Sequence, residues 1–266
     1  MEMGWQYLWI LAVVAAALSA VGFYKFVYFL SIGYGFAVAG IGVALMIIFG
    51  EQMQLVHFIQ CILFIAYGVR LSGFLLYREI KNAAYRKTLA EATTSEKTMP
   101  IFVKAFIWIW VSALYVAQTC PVFYRQYNGA EDTLLPWIGV VISIAALIIE
   151  TVADNQKSAQ KKEDPNMVAT RGLYKMVRCP NYFGEIIFWT GVTVGGLSAF
   201  NHWGQWVMAI IAYIAIVFIM FNGAQRLEKR QMGRYGKMRE YQEYADKTPI
   251  IIPLLPIYHL AKEDKK

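Results

Sequence analysis

Acidic residues, histidine and cysteine are all scarce in this chain, and so is any long hydrophilic stretch. Its 266 residues hold 18 Asp and Glu against 25 Lys and Arg, with three His and three Cys. Cys61, Cys120 and Cys179 lie too far apart in sequence for a zinc knuckle, and three thiols cannot form a closed disulfide set. They read as packing residues, and no metal is expected. No internal repeat, low-complexity tract or polar linker divides the chain into soluble domains. The N-terminus has no basic region ahead of its apolar run and no small-residue cleavage site, so that run is expected to be a retained first span.

What the chain has instead is 58% apolar residues, 15% of all residues being aromatic, and a positive mean hydropathy. That composition excludes an ordinary soluble domain. The net charge of +7 fits basic cytoplasmic loops, and no nucleic-acid partner is expected. Crossing a hydrocarbon core of ~30 Å takes roughly 20 mostly apolar residues at ~1.5 Å each. Seven stretches qualify: Trp5 to Val21, Phe26 to Phe49, Met53 to Tyr77, Pro100 to Thr119, Leu134 to Asp154, Tyr182 to Phe200, and Gly204 to Asn222. The expected fold is an all-α integral membrane bundle of seven transmembrane helices. It is read as one membrane-embedded domain, residues 1–266, with helices 1–4 (1–130) as the substrate side and helices 5–7 with the tail (131–266) as the cofactor-binding region. Glycines at 33, 35, 40 and 42 mark the second span for close helix packing.

With seven spans, the loop after the first helix, the loops 78–99 and 155–181 and the C-terminal tail share one side, and they carry nearly all the Lys and Arg. That side is expected to be cytoplasmic, with the N-terminus outside. The tail from Gln225 alternates charges with tyrosines, as an amphipathic helix on anionic headgroups or a ligand-facing segment would.

Polar residues inside apolar sequence are costly and single out candidate sites. In the third span His57, Gln60, Tyr67 and Arg70 recur at three, seven and three residues, which places them on one side of a helix. In the fifth, Glu150, Asp154, Lys157 and Lys161 recur at four, three and four. They either pair with one another or hold a site near the membrane boundary. The stretch Arg171 to Glu185 then leads from a basic loop into the sixth span. Pro180 has no N–H to lose at a first helical position, so the helix is expected to open there with free backbone donors beside Arg171, Lys175 and Arg178. Such an opening suits phosphate. Asn181 offers a donor and an acceptor suited to a carboxamide or a ribose hydroxyl, and Glu185 suits a ribose or an arginine.

The run Gly172-Leu173-Tyr174, then Arg178-Cys179-Pro180-Asn181-Tyr182-Phe183-Gly184-Glu185, resembles the signature of the membrane steroid 5α-reductase-like proteins, especially their bacterial branch. In that family it reads Gly-Leu-Trp/Tyr, three variable residues, and Arg-His-Pro-Asn-Tyr-Phe-Gly-Glu. The resemblance extends to Glu150, Ala153-Asp154 and Gln156-Lys157 upstream, and to Arg230, Tyr235-Gly236, Tyr244 and Ile252-Pro253 downstream. It is specific over about residues 145–255. Tyr67 and Arg70 match the tyrosine and arginine of a His-Tyr-x-x-Arg motif.

The resemblance implies a multi-pass membrane enzyme, in a bacterial inner membrane or the endoplasmic reticulum, that uses NADPH. The enzyme would reduce the carbon–carbon double bond of an apolar α,β-unsaturated carbonyl compound entering from lipid. Tyr67 is then the electrophilic acid and Arg70 its neighbour. Asp154, Asn181 and Glu185 hold nicotinamide and ribose, while Lys157, Arg171, Arg178, Arg230 and Tyr235 gather at the phosphates. Glu150, Tyr174, Tyr182 and Tyr244 complete the implied cofactor set. Two departures stand out: Cys179 replaces the histidine before the proline, and the second span holds no carboxylate to partner Tyr67. The second points to an apolar unsaturated carbonyl compound other than a steroid. A related pattern, Gly-x-Tyr, Arg-His-Pro and Tyr-x-Gly before a basic tail, occurs in membrane isoprenylcysteine carboxyl methyltransferases, so the alternative is an S-adenosylmethionine-dependent methyltransferase.

Overall fold

The computed structural model describes residues 3–92 and 99–261. Every regular element among them is helical: α1 (Trp5–Ser19), α2 (Ile32–Phe49), α3 (Leu55–Lys81), α4 (Ala83–Ala92), α5 (Ile101–Tyr127), α6 (Leu134–Glu163), α7 (Pro180–Gly196), α8 (Trp203–Tyr235) and α9 (Arg239–Lys247). Six segments are long and apolar enough to cross a membrane: Trp5–Phe23, Ile32–Phe49, Leu55–Lys81, Ile101–Tyr127, Leu134–Glu163 and Trp203–Tyr235. The remaining expected span corresponds to α7, whose 17 residues rise roughly 26 Å.

Boundaries shift where local sequence overrules mean hydropathy. Residues 26–30 of the expected second span form a 3-10 turn, and the α-helix begins only after Ser31. Helix α5 runs eight residues beyond Thr119, straight through Pro121. Both α6 and α8 continue well past the apolar stretch into charged sequence. Part of the basic loop 78–99, residues 93–98, lies outside the described residues, as does the side chain of Glu51.

The chain divides into two compact units, one of Met1–Val140 with Val192–Ala212 and one of Val141–Gly191 with Tyr213–Lys266. In the first unit, helices approach through missing side chains. A Cβ at Gly68 on α3 would stand 2.0 Å from the Gly35 carbonyl oxygen on α2, and one at Gly42 would stand 2.8 Å from that of Cys61. Gly40 makes the equivalent room for Leu18 of α1. Lipid tails offer no hydrophobic penalty for separation, so such close backbone contact is what holds apolar helices together. At one end of this unit Lys25 pairs with Glu79, which also accepts a hydrogen bond from Tyr28 at 2.6 Å.

At the other end Arg125, 1% exposed, donates to the carbonyls of Ala130 and Glu131 and to Asp132 at 2.9 Å. The second oxygen of Asp132 accepts the Val56 amide at 3.1 Å, capping α3. The second unit contains α6 from Val141, α7 up to Gly191, α8 from Tyr213, α9, and the closing strap 248–261. Ala153, Ala169 and Tyr174 pack together, as do Tyr235, Tyr241, Ala245 and Val168. Thus α9 buries its apolar face on this unit rather than leaving it for a headgroup layer.

Candidate functional site

The polar face of α6 and the opening of α7 come together inside the second unit. Helix α7 starts at Pro180, where the missing N–H costs nothing. Positions 181, 184 and 185 fall on one side of it, and positions 150, 154 and 157 on one side of α6. The helices meet in antiparallel register. Glu150, 2% exposed, lays its side chain over Gly184, where a Cβ would stand 2.5 Å from its Cγ. One turn along, Asn181 donates to Asp154 at 2.6 Å. The Tyr174 hydroxyl lies 3.2 Å from the Asn181 side-chain oxygen and 3.3 Å from the Ala153 carbonyl. Glu185 is buried and accepts the Trp189 indole N–H at 2.9 Å. Tyr182 packs against Gly223 of α8.

Chemically, Asp154 fixes which end of Asn181 carries its donors, so the amide is oriented before any ligand arrives. A carboxylate and a phenol on either end of one amide form a neutral-to-acidic cluster suited to hydroxyl and carboxamide groups. It is not suited to phosphate.

The basic residues separate into two kinds. Arg171 is exposed and pairs with exposed Glu163; Arg230 and Lys175 are also exposed, and Lys157 is half-buried. Arg178, by contrast, is 3% exposed and committed elsewhere. Its guanidinium donates to Glu228 at 2.7 Å and to the Tyr258 carbonyl. The other oxygen of Glu228 accepts the amides of Leu260 and Ala261 at 2.7 and 2.8 Å. His259 stands 3.0 Å from both Glu228 and Asp246. Backbone bonds from Arg178 to Pro249 and from Cys179 to Ile250 continue this attachment. Arg178 therefore ties the closing strap to the opening of α7.

Tyr235 and Tyr244 also serve the frame. Lys161 donates to the Tyr235 hydroxyl at 2.9 Å, and Tyr244 donates to the Tyr174 carbonyl at 2.7 Å. Cys179, where the family pattern has histidine, is a buried free thiol that packs with Ile186, Ala224, Ile250 and Ile251. Burial pushes it up to about 12, so it is neutral and unreactive.

Two glutamines escaped the sequence reading as framework groups. Gln160 accepts the amides of Thr170 and Arg171, both at 2.9 Å, and Gln156 accepts that of Leu173 at 2.8 Å. Gly172, at φ 68°, lies directly against Gln156, in a backbone region that glycine enters without strain. The signal was available as two glutamines four residues apart on the face that carries Lys157 and Lys161.

In the first unit the α3 stripe is buried as its spacing predicts. His57 and Tyr67 are fully buried, Gln60 is 2% exposed and Arg70 is half-buried. Tyr67 meets the Tyr34 ring edge-on at 5.9 Å, and His57 lies 3.1 Å from the Val122 carbonyl. Among the described residues no group of three or more His, Cys, Asp or Glu could hold a metal ion.

Six apolar segments and two sets of buried polar residues define a multi-pass integral membrane protein. The chain belongs to the DUF1295 family, described as proteins of unknown function, whose profile matches residues 9–248. It is similar to steroid 5-alpha-reductase DET2 of Gossypium hirsutum, 28% identical over 47% of this chain and 50% of that protein. An uncharacterised protein of Schizosaccharomyces pombe is 28% identical over 50% of this chain and 53% of its own. Steroid 5-alpha-reductase DET2 of Arabidopsis thaliana is 37% identical over 21% of this chain and 22% of its own. The chain thus spans about half the length of the first two of these relatives and about a fifth of the third. No solved structure matches it.

Proposed function

We propose that the protein is an NADPH-dependent membrane reductase of the carbon–carbon double bond of an apolar α,β-unsaturated carbonyl compound. The observation that carries this reading is the Asp154–Asn181–Tyr174 cluster at the opening of α7, in a chain similar to proteins named steroid 5-alpha-reductase. The donor chemistry fits the dinucleotide. Asn181, oriented by Asp154, binds its carboxamide or a ribose hydroxyl, and Glu150 and Glu185 line the buried end. Arg171, Lys157 and Arg230 attract its phosphates. Arg178, Tyr235 and Tyr244 hold the surrounding backbone rather than the cofactor.

When bound, NADPH supplies a hydride for the β-carbon of the enone, and a proton taken up from solvent at the α-carbon completes the reduction. Tyr67 donates its phenolic hydrogen bond to the carbonyl oxygen as negative charge develops there, and Arg70, one turn further along α3, supports that charge. The apolar surroundings of Tyr67 strengthen the interaction by excluding water. The substrate arrives from lipid, which suits the six apolar segments. The reading also takes α7 as a short seventh span, with the N-terminus outside and the C-terminus on the cytoplasmic side where the basic loops lie.

The test is NADPH consumption by purified protein with a panel of apolar enones. Tyr67→Phe is expected to lower turnover by roughly 100-fold or more while cofactor affinity stays unchanged. Normal turnover in that variant would remove Tyr67 from the chemistry.

A further inference from the structure

Two buried amides in the first unit take no part in the reading above. Gln60 on α3 is 2% exposed and Gln118 on α5 is 4% exposed. Neither end of either side chain has a hydrogen-bond partner among the described residues. An amide left unmade in apolar surroundings costs about 1–3 kcal/mol, and in a membrane segment no bulk water offsets it. Two such amides on neighbouring helices need a reason.

Their positions supply it. Helices α3 and α5 run antiparallel: the backbone N–H of Gln54 at the start of α3 donates to the side-chain oxygen of Gln126 near the end of α5, and His57 lies against the Val122 carbonyl. Moving one turn along α3 from His57 and one turn back along α5 from Val122 brings Gln60 and Gln118 to the same level. At that level α7 ends in two glycines. Gly196 lies directly on Pro121, one turn from Gln118, and a Cβ built at Gly195 would stand 3.6 Å from the Gln60 side-chain nitrogen. The space between Gln60 and Gly195 thus admits one methyl group, with Pro136 and Gly139 of α6 next to it.

We infer that Gln60 and Gln118 form a binding site for a neutral oxygen group, a hydroxyl or keto oxygen, carried by an apolar ligand. Each amide presents both donors and an acceptor, so the pair can donate to such an oxygen and accept from a hydroxyl. A charged group is excluded, because nothing at this level neutralises it. Gln60 also lies seven residues from Tyr67 on the same face of α3, about 10 Å along the helix. For the choice of ligand this rests on the reductase reading: an enone held at Tyr67 would place its remote end, ~10 Å away, at the glutamines. Gln60 and Gln118 then set specificity for molecules oxygenated at both ends.

The test uses protein in lipid nanodiscs and two probes, a straight-chain methyl enone of about ten carbons and its ω-hydroxy derivative, with affinities read from tryptophan fluorescence. Wild type is expected to bind the hydroxylated probe about 10-fold more tightly, as one well-made buried hydrogen bond would give. Gln60→Met with Gln118→Met should erase that preference, leave the affinity for the plain enone unchanged, and raise thermal stability. Gly195→Ala, whose methyl meets nothing closer than 3.6 Å, should fold normally and lose the same preference. Equal affinity of wild type for both probes, weak binding of both alike, or a preference that survives in the double variant would overturn the assignment. Because the readout is binding without turnover, it stands apart from the reductase reading, which NADPH consumption and Tyr67→Phe decide.

Discussion

The two units of this protein treat buried polar groups in opposite ways. In the second, nearly every polar side chain near the opening of α7 is engaged: Asp154 with Asn181, Arg178 with Glu228, and Gln156 and Gln160 with the backbone of 170–173. In the first, helices pack through glycine, and the amides of Gln60 and Gln118 are left without a partner among the described residues. The order of each unit has its own physical source. The second is a polar framework fixed in advance, the arrangement expected for a ligand with many hydrogen-bonding groups, since preorganisation spares the ordering cost on binding. The first is held largely by shape, with ion pairs Lys25–Glu79 and Arg125–Asp132 at its two ends, while Gln60 and Gln118 have no such partner among the described residues.

The contrast is broken most severely at Glu228. Glu228→Ala strands the buried Arg178 guanidinium and removes the acceptor for the Leu260 and Ala261 amides. It should cost about 3–5 kcal/mol in thermal unfolding and release the strap 248–261 to protease. A variant that melts like wild type would mean the framework is not what fixes the second unit.

The matching lesion in the first unit is steric. Gly68→Ala forces a methyl to within 2.0 Å of the Gly35 carbonyl oxygen, a backbone atom that cannot step aside. The expected cost is about 1–3 kcal/mol, measured by thermal unfolding in detergent, and it should exceed that of Gly195→Ala. If the two glycine variants are equally stable, close α2–α3 packing is not what holds this unit.

The smallest effect concerns Cys179. Its folded value near 12 exceeds the usual thiol value near 9, so the buried neutral thiol contributes stability that is complete below pH 9 and is lost as pH rises toward 12. Cys179→Ala should flatten the alkaline decline of stability by about 1 kcal/mol at pH 10. Rapid alkylation of the wild-type thiol at pH 8 would contradict its burial.

Much of this was legible in the chain. Hydropathy located six of the seven expected spans as long apolar helices, because about 20 apolar residues have few other uses, and Pro180 marked the start of α7 to the residue. The spacing of Glu150, Asp154 and Lys157 placed them on one face, and that face meets Asn181. What was not legible depends on contacts far apart in sequence. Arg178 stands beside Arg171 and Lys175 in the sequence and looks like another phosphate ligand, yet its partner lies 50 residues on. Nothing local distinguishes a cation that waits for a ligand from one already neutralised. Gln60 belonged to the α3 stripe from the start, whereas Gln118 has meaning only once the antiparallel register of α3 and α5 brings the two to one level.

Thermal unfolding of the purified protein with added cofactors decides whether the Asp154–Asn181 cluster receives NADPH, as proposed. NADPH at about 100 times its dissociation constant should stabilise the protein by roughly 2.7 kcal/mol, and Asn181→Ala should lose most of that gain while melting close to wild type without cofactor. Stabilisation by S-adenosylmethionine and none by NADPH would contradict the account and favour a methyltransferase.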